Sequence, residues 1–385
     1  MNTYVAVNVD ALAHNASQVL RFLRPGSRLM AVVKANGYGH GLVLAGRTFA
    51  AAGAAWLGVS TVAEGVALRE AGLALPVLVF LPPCGVEELE ALVHHGLTAT
   101  VVAVGQLHDL AEAARSQGRG AGCHVYVDSG LSRLGSNDSL PDILDALTAF
   151  PAIAVTGVYT HFGPPGSGEM LPELEALRPG GAVKGFAALA REAARTYTGQ
   201  QPLTHVAASR VFLQGPENHL DLVRLGTLLY GQYPDDCRDR PLQLRDDTFT
   251  LCSRIIAMQT VPAGTKVGYG GEFVCRRETR LATVPVGTSH GLEVVPRSVA
   301  ARPRTALRAW VALRDSRRGR TRHSPLAHVG EAAAPLVGRV SMDQCCLDVT
   351  DVPEAGVGSA VELPARRLAV APSLPRVPIS DGAEG

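Results

Sequence analysis

Leu29-Met30-Ala31-Val32-Val33-Lys34 runs directly into Ala35-Asn36-Gly37-Tyr38-Gly39-His40-Gly41. An apolar run this short, closed by glycines, reads as a buried strand entering a loop. Its last residue is a lysine, and burial disfavours the ammonium form and draws the pKa toward neutrality. A neutral amine is the form that condenses with a carbonyl cofactor. Position alone favours a plainer reading, a strand-end lysine whose head reaches solvent. The rest of the chain decides between the two.

Working outward, the same texture repeats. Short apolar runs at Leu29–Lys34, Ala55–Ser60, Pro76–Leu81, Thr98–Ala103, Gly122–Asp128, Ile153–His161, Leu203–Ala207 and Leu222–Leu225 have the length and Val/Ile content of buried strands. The segments between them, such as Thr61–Ala71 and Gly105–Gln117, carry Ala, Leu, Glu and Arg at helical spacing. Eight such alternations predict an α/β fold, a (β/α)₈ barrel over residues 1–233. Asp10–Phe22 reads as an extra leading helix with Asp10 near its N-cap. After Tyr233 a polar linker gives way to Val/Thr/Gly-rich runs at Phe249–Val261, Leu281–Val286, Pro335–Val340 and Cys346–Val349, so 234–385 reads as a mostly β domain. Within it, 297–322 holds nine arginines and a single acid, Asp315, and reads as a solvated insertion, with no aromatic interleaving to suggest nucleic acid. The Pro-rich tail from Pro364 reads as irregular.

Bulk properties narrow the function classes. A net charge of +1 over 385 residues creates no field that would draw in nucleic acid or membrane. No apolar run is long enough to span a bilayer, and the first residues lack the pattern of a signal peptide. Seven cysteines, an odd number with no Cys-x-x-Cys, argue against a disulfide framework or a metal site and for a reducing, cytoplasmic setting.

In such a barrel the chemistry gathers where strands end at the C-terminal face. Lys34 ends the first strand, Asp128 the fifth with Arg133 just after it, and His161 the sixth; Ser209 follows the seventh, and Arg224, Gly226, Thr227 and Tyr230 close the eighth. Singly, each has an ordinary structural explanation. Together they describe a buried amine, two cations and an anion pocket. Ser209, Gly226 and the backbone around Thr227 offer hydroxyl and N–H donors to a phosphate, with Tyr38 adding a phenol. A phosphorylated aldehyde bound through Lys34 matches this set, and pyridoxal 5'-phosphate is the candidate.

The stretch Ala31–Gly41 resembles the cofactor signature of the alanine racemase family, fold-type III pyridoxal-phosphate enzymes. Val9–Asn15, the Arg133 loop, Thr160-His161-Phe162 and Arg224–Gly231 are also similar. In the second domain, Val267-Gly268-Tyr269-Gly270 resembles the loop carrying a second catalytic base, and Val337–Gln344 the loop that reaches into a partner's site. The resemblance implies a barrel followed by a β domain, a head-to-tail homodimer and racemisation of a small amino acid, L-alanine to D-alanine. It implies two bases on opposite faces of the α-carbon, Lys34 taking the proton of the D-enantiomer and Tyr269 that of the L-enantiomer. Arg133 would contact the cofactor's phenolic oxygen and the substrate carboxylate. Arg224 would face the pyridine nitrogen and keep it unprotonated, since adjacent cations repel. His161 would support Arg224, and Met342 would give a backbone donor to substrate.

Four positions depart from the family pattern. Tyr126 stands where a lysine, often carbamylated, is common, which leaves the positioning of Arg133 open. Ala208 replaces an asparagine in His205-Val206-Ala207-Ala208-Ser209, and Thr288 replaces a tyrosine lining the substrate entrance. No tyrosine follows Tyr269, so a C-terminal cofactor contact is absent. Both expected bases remain, which favours a racemase over two alternatives. One is another pyridoxal-phosphate reaction on a different amino acid in specialised metabolism. The other is a non-catalytic pyridoxal-phosphate-binding protein, which would need neither Tyr269 nor the Met342 loop.

Overall fold

The computed structural model describes residues 2–162, 181–199, 201–235, 237, 239–292, 314 and 324–382. Apart from Arg314, the arginine-rich stretch 297–322 lies outside the described residues. The chain forms two compact units, one running from Val9 to Asp246 and the other drawing on both chain ends, up to Asn8 and from Asp247.

The first unit is built on eight parallel strands. Taking β1 as Tyr4–Asn8 of the other unit, these are β2 (Arg28–Val32), β3 (Trp56–Val59), β4 (Val77–Val79), β5 (Thr98–Val101), β6 (Ala121–Tyr126), β7 (Ile153–Tyr159), β8 (Leu203–His205) and β9 (Leu222–Leu225). Each falls within one of the eight expected runs or at its edge. Neighbours in sequence are neighbours in the sheet, and β9 pairs back onto β2 with Met30 opposite Arg224. At the remaining seam, between β8 and β9, the Arg224 N–H donates to Ala207 O at 2.8 Å and the Asp221 N–H to Thr204 O at 3.1 Å. The sheet is therefore a nearly closed barrel.

Helices follow the strands because strand runs alternate with amphipathic segments. They are α1 (Val9–Phe22), α2 (Leu42–Ala51), α3 (Val62–Glu70), α4 (Val86–His94), α5 (Val104–Ser116), α6 (Leu140–Ala146), α7 (Gly181–Thr198) and the short α8 (Ser209–Leu213). Asp10 lies inside the first turn of α1, two residues past the N-cap position at Asn8. Start signals are local: Thr61 caps α3 in a capping box with Glu64, and Ser139 caps α6 with Asp142. The barrel interior is filled by Met30, Trp56, Leu78, Val102, Tyr126, Tyr159 and Leu222. Burying side chains of this size contributes about 1.5–3 kcal/mol each.

The second unit is a nine-stranded sheet plus a two-stranded hairpin. Its strands after β1 are β10 (Phe249–Arg254), β11 (Ala257–Val261), β12 (Lys266–Val267), β13 (Phe273–Val274), β14 (Thr279–Val284), β15 (Leu326–Val329), β16 (Ala332–Val337), β17 (Cys345–Asp348), β18 (Ala360–Leu363) and β19 (Arg376–Ile379). The order β11-β14-β17-β16-β15-β18-β10-β1-β19 puts the first strand of the chain between β10 and the last. The tail, read as irregular, thus carries one strand: β19 lies parallel to β1, with Val5 opposite Arg376. Its backbone bonds, absent from any local pattern, are what order it.

Candidate active site

One cavity of about 500 Å³ in the barrel unit is lined by Lys34, Tyr38, Arg133, His161, Ser209, Arg224, Gly226 and Thr227. Eight of the ten barrel residues singled out in the sequence therefore come together, while Asp128 and Tyr230 do not line this cavity. Ser60, Phe80, Tyr126, Tyr159 and Ala208 also face it, and among the described residues no carboxylate does.

Lys34 is held by an unusual turn. After β2, Ala35, Asn36, Gly37 and Tyr38 all adopt left-handed backbone, with φ of 53°, 54°, 62° and 52°. Three are not glycine, and each such residue costs about 1–2 kcal/mol. Offsetting bonds surround the turn. The Gly37 N–H donates to Val33 O at 2.8 Å and the Gly41 N–H to Asn36 O at 2.8 Å. Asn36 Oδ1 accepts from the Leu42 N–H at 2.9 Å, and the Glu64 carboxylate accepts from the Ala35 N–H at 2.7 Å. Burial pulls the Lys34 pKa below that of an ordinary lysine, and the nearby Arg133 pulls it further, while Glu64 works in the opposite sense. The Phe80 ring, 5.9 Å from Nζ, supplies an apolar wall. The neutral amine expected from the sequence is thus favoured by its surroundings.

At the far side, Ser209 Oγ and Thr227 Oγ1 lie 3.2 Å apart. A Cβ on Gly226 would collide with the Tyr38 hydroxyl, so only glycine lets this phenol pack against the backbone beside the two hydroxyls. Tyr38 is stacked on Tyr230 at 4.8 Å between centroids.

Arg224 is buried, and its terminal nitrogens donate to His205 Nδ1 (2.8 Å), His205 O (3.0 Å), Thr160 O (2.8 Å) and Val206 O (3.3 Å). None of these acceptors is a carboxylate, so the charge stays uncompensated. Burial lowers its pKa to about 10, still charged at neutral pH. The histidine hydrogen-bonded to Arg224 is His205, while His161 lines the cavity and feels the Arg224 charge. His161 is pushed down to about 3 by burial and by the charges of Arg224, Arg133 and Lys34, so it is neutral at physiological pH.

The contact continues inward. An arginine can only donate, so His205 Nδ1 accepts and its Nε2 carries the proton. That Nε2–H donates to His124 Nδ1 at 2.9 Å, leaving His124 with its proton on Nε2, buried and without a partner among the described residues. Burial pushes His124 down to about 3 and holds His205 well below the usual value, so both stay neutral. The sequence reading missed this Arg224–His205–His124 chain. Its signal was the period of two: His124 and Tyr126 on β6, and His205 on β8, share the inward phase.

Room for His124 is made by Gly157, where a Cβ would lie 2.6 Å from the imidazole ring. Gly157→Ala is expected to destabilise the protein by about 2–4 kcal/mol, from overpacking plus a broken buried hydrogen bond. The urea midpoint of purified protein checks it; an unchanged midpoint would mean that the ring moves aside freely.

Arg133 is carried by the loop after β6. Asp128 shapes that loop, its carboxylate accepting from the N–H groups of Leu131 (3.1 Å) and Ser132 (3.0 Å). Arg133 itself makes no hydrogen bond among the described residues. The Tyr126 hydroxyl, at the position of the first departure, is likewise buried and unpartnered.

Tyr269 and Met342 belong to the other unit. Tyr269 stands at the tip of the β12–β13 hairpin, between Gly268 and Gly270 with φ of 74° each, and is 72% exposed; Met342 is 74% exposed. The loop carrying Thr288 is tied to the Met342 loop: the Thr288 N–H donates to Ser341 O (2.9 Å), and Ser289 donates to Met342 O from N–H (2.8 Å) and hydroxyl (2.7 Å).

Three depressed histidines give the fold a pH signature. As pH falls below about 6.5 the unfolded chain takes up protons that folded His124 and His161 refuse until about 3, and that folded His205, also held well below its usual value, refuses as well. Stability is therefore full above that window and declines through it, by up to about 1.4 kcal/mol per pH unit for each histidine. Urea midpoints of cofactor-free protein between about pH 7 and pH 5 are expected to fall, and His161→Gln should remove about one proton from the slope.

A barrel whose first strand ends in a buried lysine of lowered pKa, facing two arginines and hydroxyl donors, has the make-up of a pyridoxal-phosphate enzyme. The group fits the donor set: Ser209, Thr227 and Tyr38 suit its phosphate, and Lys34 its aldehyde. Comparison with known proteins agrees. The chain matches the family described as alanine racemase, N-terminal domain, over residues 7–234, and alanine racemase, C-terminal domain, over residues 248–373. It is 33% identical to the alanine racemase of Desulfovibrio desulfuricans, covering 95% of this chain and 91% of that one. It is 34% identical to that of Syntrophobacter fumaroxidans, covering 92% and 85%. Among solved structures, alanine racemase from D-cycloserine-producing Streptomyces lavendulae superposes with a TM-score of 0.76 at 28% identity, covering 98% of this chain and 97% of that one. That from Bartonella henselae, which has covalently bound pyridoxal phosphate, shares the fold with a TM-score of 0.71 at 20% identity, covering 98% and 100%. The chain belongs to the alanine racemase family.

Proposed function

We propose that this protein interconverts L- and D-alanine with pyridoxal 5'-phosphate held on Lys34. The observation that carries the reading is the single cavity that gathers Lys34, Arg133 and Arg224 beside three hydroxyl donors and excludes carboxylates. When bound, the cofactor supplies an electron-withdrawing ring that acidifies the substrate's α-hydrogen. The protein supplies the rest. Ser209, Thr227 and Tyr38 bind the phosphate. Arg224, fixed by His205 and three carbonyls, presents a permanent cation to the ring and discourages a proton there. Arg133 receives the substrate carboxylate. Lys34, whose proton is held less tightly because it is buried, removes or returns the α-proton on one face; Tyr269 does so on the other.

In this reading Tyr269 and Met342 of one copy reach the cavity of a second, in a head-to-tail homodimer. Their exposure on a loop cluster braced by Ser289 supports it, since an aromatic base and a backbone donor must meet substrate somewhere. All seven cysteines are free, in keeping with a cytoplasmic enzyme that supplies D-alanine. No helix among the described residues is long and apolar enough to cross a membrane.

A second reading, a shifted substrate choice, draws on Thr288 at the braced loop, where the family pattern has a larger side chain. One experiment tests both. Purified protein with pyridoxal phosphate is given single enantiomers of several amino acids in deuterium oxide, and configuration and α-deuteration are followed. Fastest racemisation of alanine supports the first reading; a preference for a bulkier amino acid supports the second. Deuteration without any inversion would overturn both.

A further inference from the structure

We propose that Glu64 is the positioning residue for Lys34, its carboxylate clamping the left-handed turn that aims the amine into the cavity. The proposal deepens the reading of Lys34 as the cofactor lysine and rests on it, but its geometry stands apart from any bound group.

The clamp spans two strand ends. Glu64 Oε1 accepts from the Ala35 N–H at 2.7 Å and reaches the Asn36 N–H at 3.5 Å; Oε2 accepts from the N–H groups of Ser60 at 2.8 Å and Thr61 at 3.4 Å. Ala35 and Asn36 are the first two left-handed residues after Lys34. Ser60 follows β3 and faces the same cavity as Lys34. One carboxylate thus joins the loop after β2, through two N–H groups of its left-handed turn, to the loop after β3, through the N–H groups that open α3. A charged acceptor holds such donors more strongly than a neutral one. A left-handed run of this length is intrinsically unfavourable, and without an outside anchor the chain relaxes to ordinary backbone, carrying Lys34 with it.

Glu64 also belongs to the capping box of α3, where the Glu64 N–H donates to Thr61 Oγ1 at 3.3 Å. A purely structural role would end there. The two roles differ in what Lys34 feels. Burial and Arg133 depress the Lys34 pKa and Glu64 raises it; His161, Arg224 and the phenols of Tyr38, Tyr126 and Tyr159 are the other titratable groups lining the cavity. Removing the negative charge therefore lets the amine lose its proton at lower pH, while loosening the turn moves it out of register with the cavity.

The test compares Glu64→Gln with Thr61→Ala, which breaks the cap and leaves the carboxylate. In cofactor-free protein, Lys34 is acylated by trace acetic anhydride across a pH series and its labelling is read by mass spectrometry. In parallel, pyridoxal phosphate is added and the adduct on Lys34 is trapped with borohydride. The Lys34 labelling midpoint is expected to move to lower pH in Glu64→Gln and to stay in place in Thr61→Ala. Adduct formation is expected to be about tenfold slower in Glu64→Gln, for one charged hydrogen bond weakened, and unchanged in Thr61→Ala. Glu64→Asp, which keeps the charge, should restore the midpoint more than the rate. Identical labelling profiles in the unchanged protein and Glu64→Gln, or equal shifts in Glu64→Gln and Thr61→Ala, overturn the proposal. Absence of any adduct in the unchanged protein would instead overturn the cofactor reading, while the labelling midpoints still decide the role of Glu64.

Discussion

Lys34→Ala is expected to lose racemisation of alanine by at least about 10³-fold and to lose covalent capture of pyridoxal phosphate altogether. The size of the effect follows from two jobs falling on one amine, covalent attachment of the cofactor and proton transfer on one face of the substrate. Nothing nearby can replace it. The cavity's other cations are the guanidinium groups of Arg133 and Arg224, which only donate hydrogen bonds, and His161 is a poor base with its pKa near 3. The protein itself should remain folded, because the left-handed turn is held by backbone, Asn36 and Glu64 and not by the lysine head. Absorbance of the bound cofactor, borohydride trapping and polarimetry together check the outcome. A variant that keeps tenfold-reduced racemisation would place the essential amine elsewhere.

Tyr269→Phe is expected to slow racemisation by about 10²–10⁴-fold, the usual range for a lost acid–base group. The two enantiomers of alanine have equal free energy, so kcat/KM must fall equally in both directions, and rates alone cannot identify the face. Isotope exchange can. With Lys34 intact, the variant should still wash deuterium from solvent into D-alanine while returning it as D-alanine, and should scarcely label L-alanine. The folded state is expected to be untouched, since the phenol is largely exposed and its neighbours on either side are glycines. Equal loss of exchange from both enantiomers would remove Tyr269 from the reaction.

The barrel strands were legible because each is short, apolar and separated from the next by a helix-length amphipathic stretch. The cavity residues were legible because strand ends are easy to locate once the strands are known. Other features were not, for identifiable reasons. The left-handed turn after Lys34 contains Ala35 and Tyr38, types with no preference for positive φ, beside Asn36, and its outside anchors are what hold so long a run. His205 was in view as part of a motif, but its bond to Arg224 depends on β8 and β9 meeting at the seam of the barrel. His124 is silent without knowing that Gly157 clears space for it from the neighbouring strand. The pairing of β1 with β10 and β19 joins residues at opposite ends of the chain, a relation that no local periodicity encodes.

That last arrangement has a consequence for how the molecule is made. Tyr4–Asn8 leaves the ribosome well before its partners Phe249–Arg254 and Arg376–Ile379, which are both synthesised after the entire barrel. The opening strand must therefore wait, unpaired, through most of translation, with Val5 and Val7 destined for full burial. Loss of the closing strand would leave it as a bare apolar edge, the kind of surface that recruits other chains. Nascent-chain quality control, more than catalysis, is where a truncation near residue 375 should first be felt.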